Sequence, residues 1–290
     1  VTPGNIPERE NPVASYVKYF VVPEEWDNAY ISFQGAESAL VVWLNGHYVG
    51  YSEDSFTPAD FDLTPYLVAG ENKLAVEVIR FSSGSWIEDQ DFWRFSGLFR
   101  EVVLYTKPAV HVEDVWVKAV PENDYHDGYL SLDLKWNSAA AKKVVCELLD
   151  PAGQQVLREE AAADGLSGHF EADVSDVQLW SAEHPSLYQL VLSVYDAAGH
   201  LQEVIPQAVG FREFRLDGNI MKLNGKRIVF KGTNRHEFDC YRGRAMDPAS
   251  FEQDIRTMKR HNINALRCSH YPNSSYIYAL CDRYGLYVID

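Results

Sequence analysis

The segment Gly84–Arg100, GSWIEDQDFWRFSGLFR, sets three carboxylates, Glu88, Asp89 and Asp91, among Trp86, Phe92, Trp93 and Phe95. A carboxylate beside desolvating rings costs free energy unless something pairs with it. Glu88 and Asp89 have a structural explanation, since they can solvate the loop or pair with Arg94 and Arg100. Asp91 is the better ligand candidate, because Phe92 and Trp93 beside it lower solvent access while leaving room for hydroxyl groups. Sugars combine apolar C–H faces with dense hydroxyls, and an aromatic platform with adjacent carboxylates matches both. Trp86 and Trp93 are the platform candidates, with anchoring in a core or domain seam as the competing role.

A second polar group follows two apolar runs: Asn234, Arg235, His236 and Glu237 after IVFKG, and Arg267, Ser269, His270 and Tyr271 around the end of NALRC. Histidines in such a pair can ligate a metal, donate hydrogen bonds to substrate hydroxyls, act as acid and base, or simply hold loops through backbone carbonyls. Their long spacing and the want of a third ligand weigh against a metal. The preferred role is donation to a polyhydroxylated ligand. Pro272 keeps Tyr271 extended, so Ser269–Pro272 is expected to form a rigid lip. For Arg235 and Arg267 a structural network competes with a role in the site, in which they pair with Glu237 or Asp290 inside the forming barrel.

Positioning these residues requires three kinds of element. Up to about Lys107 the pattern is of strands: SYVKYFVV, an Asn45-Gly46 turn inside ALVVWLNGHYVGYS, and NKLAVEVIRF after Gly70. Ile79 and Phe81 spoil its alternation, which points to packed layers in a sandwich. From Pro108 the runs VHVEDVWVKAV, GYLSLDLKWN, KVVCELLD, HFEADVS and LYQLVLSVYD are separated by turn residues, as in a smaller β-sandwich, a spacer or buttress. After Gly210 come a hairpin at Asn224-Gly225, a strand, a helix from Pro248 to about Asn262, a strand, a helix from about Ser274 to Tyr284, and the strand LYVID. That alternation predicts a parallel βα arrangement, with ligands at the carboxyl ends of its strands. Two and a half such units close no barrel, so the chain is expected to be an N-terminal portion of a longer protein.

Composition narrows the partners. The 290 residues carry a formal charge of -16, which disfavours a nucleic-acid backbone. No apolar run approaches the roughly 20 residues of a membrane span. Cys146, Cys240, Cys268 and Cys281 fit no metal spacing and are read as reduced thiols, which favours the cytoplasm; the first twelve residues show no secretion signal.

The motifs NPVASYVKYFVVPEEW, LNGHYVGYSEDSFTPADFDLT, GSWIEDQDFWRFSGLFR, FKGTNRHEFD, NALRCSHYP and LCDRYGLYVID together resemble the large bacterial β-galactosidases of glycoside hydrolase family 2 over essentially the whole chain. The resemblance implies a jelly-roll sugar-binding domain (1–107), an immunoglobulin-like β-sandwich (108–211) and the start of a TIM-barrel catalytic domain (212–290). It implies retaining hydrolysis of terminal β-D-galactosides such as lactose, by a homo-oligomer using Mg2+ and Na+. Asn11 and Asp91 then reach the galactose from the first domain, Asp91 also near the sodium, and His236 and His270 contact the sugar and steady the transition state. The two catalytic glutamates and the main magnesium ligands lie beyond Asp290 in the family, so this chain alone is expected to be inactive and to need the remainder of its catalytic domain. Phe92 departs from the family's methionine, and Cys240-Tyr241 from a loop that often holds proline there. The alternatives are a β-glucuronidase or β-mannosidase of the same architecture, and a non-catalytic carbohydrate-binding scaffold.

Overall fold

In the computed structural model, which describes residues 4–141, 143–163 and 165–290, the chain forms two β-sandwiches followed by a parallel βα segment. In the first sandwich one sheet has the order Val13–Val21, Glu71–Ile79, Ala39–Leu44, His47–Ser52, and faces a second made of Ala59–Asp62, Tyr30–Phe33 and Val102–Tyr105. Alternation puts Leu74, Val76 and Val78 inward, onto Ile31, Phe33, Leu40, Val42 and Leu44. The Asn45-Gly46 turn closes its hairpin with both residues at positive φ, 52° and 84°, as a two-residue turn requires. Val13–Val21 and Val102–Tyr105 are edge strands, and an apolar slot of about 470 Å³ lies beside them, lined by Val17, Phe20, Phe33, Val76, Val102 and Leu104.

The second sandwich packs Val112–Glu122, Asp127–Trp136 and Ser167–Val174 against a four-stranded sheet ordered Gln155–Ala162, Lys143–Leu149, Tyr188–Tyr195, Leu201–Val209. Leu130, Leu132 and Leu134 meet Val144, Leu148, Leu190 and Leu192 between the layers. Two of these strands, Gln155–Ala162 and Leu201–Val209, are absent from the apolar runs of the sequence. Both lie at sheet edges and are exposed along most of their length, so neither needs an apolar face. The turns Asp150–Gly153 and Asp196–Gly199 do close hairpins, each with the aspartate side chain accepting backbone N–H groups across the turn.

In the third part, Gly232–Arg235, Ala265–Cys268 and Tyr287–Ile289 are parallel neighbours. Between them run α2, Pro248–Arg260, and α3, Ser275–Tyr284; α1 is a single turn, Gly84–Ile87, in the first domain. Phe251, Ile255 and Met258 of α2 and Ile277, Leu280 and Cys281 of α3 bury one face each against Leu266 and Leu286. Asp247 caps α2 by accepting the Ser250 N–H at 2.8 Å, with Pro248 at the first helical position. Gly285 ends α3 in the left-handed conformation (φ 75°), its N–H returning to the Cys281 carbonyl at 2.9 Å.

The second domain is tied to this segment. Trp180 Nε1 donates to the Asp282 carbonyl at 2.8 Å, and Lys259 Nζ donates to the carbonyls of Ala182 (2.8 Å) and Gly285 (2.9 Å). It therefore acts as a buttress for α2 and α3. Replacing Asp247 with alanine is expected to cost about 1 kcal/mol, the usual loss of a helix cap. Faster amide exchange at Ser250 and Phe251, with exchange in α3 unchanged, is the expected signature.

Candidate functional site

The carboxyl ends of the first two parallel strands carry the two histidines. His236 follows Gly232–Arg235, and His270 follows Ala265–Cys268. Their rings meet edge to face with centroids 5.7 Å apart. The lip after His270 is held firmly: the Ser269 N–H donates to the Arg235 carbonyl at 3.0 Å, and Tyr271 is buried with its Oη accepting the Glu237 N–H at 3.0 Å.

The Gly84–Arg100 segment of the first domain crosses to this rim, and its three acids separate by partner. Glu88 Oε1 accepts the Ser55 N–H at 2.8 Å and Oε2 its hydroxyl at 2.6 Å, while burial raises the Glu88 pKa against those bonds. Asp89 pairs with Arg94 at 2.7 Å. Both hold the loop. Asp91 is exposed and, among the described residues, no hydrogen bond or ion pair commits its carboxylate. Its charge reaches His236. Burial lowers the His236 pKa most, His270 lowers it further, Asp91 raises it, and Arg244 lowers it. The net effect is downward, so His236 stays neutral to lower pH than an ordinary histidine and keeps one N–H donor and one acceptor.

Aromatic rings fill the seam. Phe56 stacks on Tyr271 at 4.4 Å, Phe92 meets Tyr271 edge-on at 5.3 Å, and Trp93 packs against Phe238 at 4.7 Å with His236 at 6.3 Å. Trp93 is 60% exposed beside His236, which suits a platform. Trp86 is half-buried and its indole N–H finds no partner among the described residues. Phe92 packs edge-on against Phe56 and Tyr271, forming an apolar wall between the first domain and the parallel segment. Tyr241, by contrast, stands 93% exposed at the tip of the loop after His236, next to exposed Cys240.

Two expectations are corrected. Arg235 pairs with Asp254 of α2 at 2.9 Å and with Asn273 Oδ1 at 3.2 Å, because its buried side chain turns toward the helix and away from Glu237. Glu237 is held instead by Arg100 of the first domain at 2.7 Å and accepts the Ser274 N–H at 2.6 Å. Arg267 points to solvent, and Asp290 accepts from the Tyr278 hydroxyl at 2.7 Å. Asn11 is placed differently from Asp91. Its Nδ2 donates to the Phe81 carbonyl and its Oδ1 accepts the Phe81 N–H, both at 2.9 Å, which pins the chain at the entry to the acidic segment. One Nδ2 hydrogen is left for a ligand.

Sequence reading missed Arg244 and Glu37, both buried in this seam. Neither has a local signal, since the rings and carbonyls around them come from distant segments. No group of three or more His, Cys, Asp or Glu side chains suited to a metal occurs among the described residues. Within the described residues, no helix is long and apolar enough to cross a membrane.

Comparison with known proteins follows the same division. The sequence models described as "Glycosyl hydrolases family 2, sugar binding domain", "Glycosyl hydrolases family 2" and "Glycosyl hydrolases family 2, TIM barrel domain" match residues 1–108, 110–212 and 214–290. The chain is 55% identical to a β-galactosidase of Halalkalibacterium halodurans, over 99% of this chain and 29% of that protein. It is 49% identical to a β-galactosidase of Clostridium acetobutylicum, over 99% of this chain and 32% of that protein. This chain thus spans about a third or less of the length of these relatives. Among solved structures, the Bifidobacterium dentium β-glucuronidase complexed with coumarin-3-O-glucuronide superposes with a TM-score of 0.87 at 26% identity, covering 96% of this chain and 52% of that one. Bacteroides uniformis β-glucuronidase 3 gives 0.87 at 24% identity, over 95% and 37%, which shows the fold.

Two outcomes check the geometry. Asp91→Asn removes the one nearby group that raises the His236 pKa, so histidine NMR should show His236 titrating lower still; an upward move would refute the placement. Arg100→Met leaves the Glu237 carboxylate, 2% exposed, without its counter-charge. The expected loss is about 3–5 kcal/mol in denaturant unfolding.

Proposed function

We propose, from the premise that the chain belongs to glycosyl hydrolase family 2, that it is part of a longer retaining β-galactosidase and supplies the walls of the galactose site. The observation that carries this reading is the uncommitted Asp91 carboxylate, whose charge reaches His236, with the His270 ring edge to face beside it on the rim of the parallel strands. Asp91 accepts from sugar hydroxyls, neutral His236 donates to them and His270 does so beside it, Trp93 offers its face to the C–H side of the ring, and Asn11 has one amide hydrogen for the same ligand. The names of relatives that are 41–55% identical support galactose as the sugar.

A retaining glycosidase uses two carboxylates about 5–5.5 Å apart, one as nucleophile and one as acid/base. In the family both are glutamates further along the barrel, so no carboxylate of residues 1–290 takes either role, and these residues alone hydrolyse nothing. Sodium takes oxygen ligands, and the free Asp91 carboxylate suits one of its positions. No ligand set for magnesium is assigned within residues 1–290. The complete enzyme is a homo-oligomer in this reading.

β-Glucuronidase is the second reading, favoured by the name of the superposing structure that is 26% identical. A glucuronide brings its own carboxylate toward Asp91. Two like charges about 5 Å apart at an effective dielectric near 20 repel by about 3 kcal/mol. The test is hydrolysis of aryl β-D-galactoside and aryl β-D-glucuronide by the longer protein that contains this chain. A galactoside preference of about 100-fold or more is expected from that repulsion. A glucuronide preference overturns the sugar assignment, and hydrolysis of neither favours a non-catalytic carbohydrate-binding protein.

A further inference from the structure

Arg244 lies in the loop between His236 and α2 and is 4% exposed. Its guanidinium carbon is 4.6 Å from the ring centre of Tyr271, 5.0 Å from Phe92, 5.1 Å from Phe56, 5.5 Å from Phe99 and 5.8 Å from Phe95. Nη2 donates to the Trp93 carbonyl. The nearest carboxylate, Glu37, stands 3.9 Å from Nε, and its Oε2 accepts the N–H groups of Phe95 at 3.1 Å and Ser96 at 3.0 Å. Nε and Nη1 of Arg244 and Oε1 of Glu37 bond nothing among the described residues.

For space-filling alone this is a poor choice of residue, since an aliphatic chain of similar volume would fill the seam without leaving N–H groups unpaired. Arginine does two things there that an aliphatic residue does not. It holds the carbonyl of Trp93, two residues after Asp91, and it presents its charged face to Tyr271, the residue after His270. One side chain from the barrel segment thus touches both the loop that carries Asp91 and the lip that carries His270.

We propose that Arg244 is a positioning residue of the glycoside site, fixing the Asp91 loop of the first domain in register with His236 and His270. The proposal rests on the glycoside reading above. Three groups form the local charge set at His236, namely His270, Asp91 and Arg244, and the uncharged Tyr271 ring lies 6.2 Å away between centroids. Arg244 is one of those that keep His236 neutral, so its loss should be visible in the pH profile as well as in the rate.

The test uses the longer protein that contains this chain, with Arg244→Met and Arg244→Lys, assayed on an aryl β-D-galactoside across pH. Arg244→Met is expected to lower kcat/KM at least tenfold and to move the acid limb of its pH profile upward, with hydrogen exchange accelerated in residues 91–97. Arg244→Lys keeps the charge and loses the planar stack, so its acid limb should stay near the wild-type position while kcat/KM still falls. Methionine at wild-type rate and with an unmoved acid limb overturns the proposal. If the methionine variant does not fold, the lysine variant decides: wild-type kcat/KM there overturns it as well. A wild-type protein that hydrolyses no glycoside fails the function and not the positioning, because exchange in residues 91–97 still reports whether Arg244 holds the loop.

Discussion

Moving a guanidinium out of water costs several kcal/mol even after relaxation, and Arg244 meets that cost with an unusual set of partners. A single carboxylate stands at the edge of contact, already occupied by two backbone N–H groups. The larger compensation comes from five rings, at about 2 kcal/mol or more for each well-placed desolvated cation–π contact. Four of those rings belong to the first domain and the fifth to the lip of the parallel segment. The favourable term therefore exists only when the two parts are docked, and docking is what brings Asp91 to the histidines. Arg100 acts in parallel, joining Glu237 and the Pro272 carbonyl across the same seam.

Among its described residues the second domain contributes no side chain to the site, yet it bears on the geometry from behind. Its Trp180 and the Lys259 of α2 exchange hydrogen bonds with backbone carbonyls at the far side of the helices. Both helices begin next to the lip and end against this domain, so a tilt of either would be resisted at both ends. The site is thus held from two directions: through aromatic and charged groups at the strand ends, and through backbone acceptors at the helix ends.

Much of this was legible in the sequence where local chemistry decides. The helix at Pro248 has its aspartate cap, its proline and its four-and-three spacing, and it forms where expected. The Asn-Gly turns and the parallel order of the last three strands follow in the same way. The loop character of the acidic segment was read correctly, and its short turn at Gly84 is the only helix in it. What failed was the pairing of arginines. Arg235 has Glu237 nearby in sequence, but strand residues two apart point the same way while the backbone bends beyond the strand, so the partner came from α2 and from a different domain for Glu237. The edge strands Gln155–Ala162 and Leu201–Val209 were missed for a related reason: a strand exposed along most of its length without apolar alternation carries no periodic signal.

Gly285 shows how unevenly the domain seam constrains its two sides. A Cβ at this position would overlap the Ala182 carbonyl oxygen, and the left-handed backbone independently favours glycine. On the facing loop, by contrast, it is the carbonyl of Ala182 that is used, by Lys259 as well as in the contact with Gly285. A carbonyl is common to every residue type. The contact itself asks of the Ser181–His184 loop only a backbone path, its side chains being set separately by the burial of Ala182 and by the Ser181 hydroxyl accepting the His184 N–H, whereas the helix side of the same contact tolerates a single amino acid.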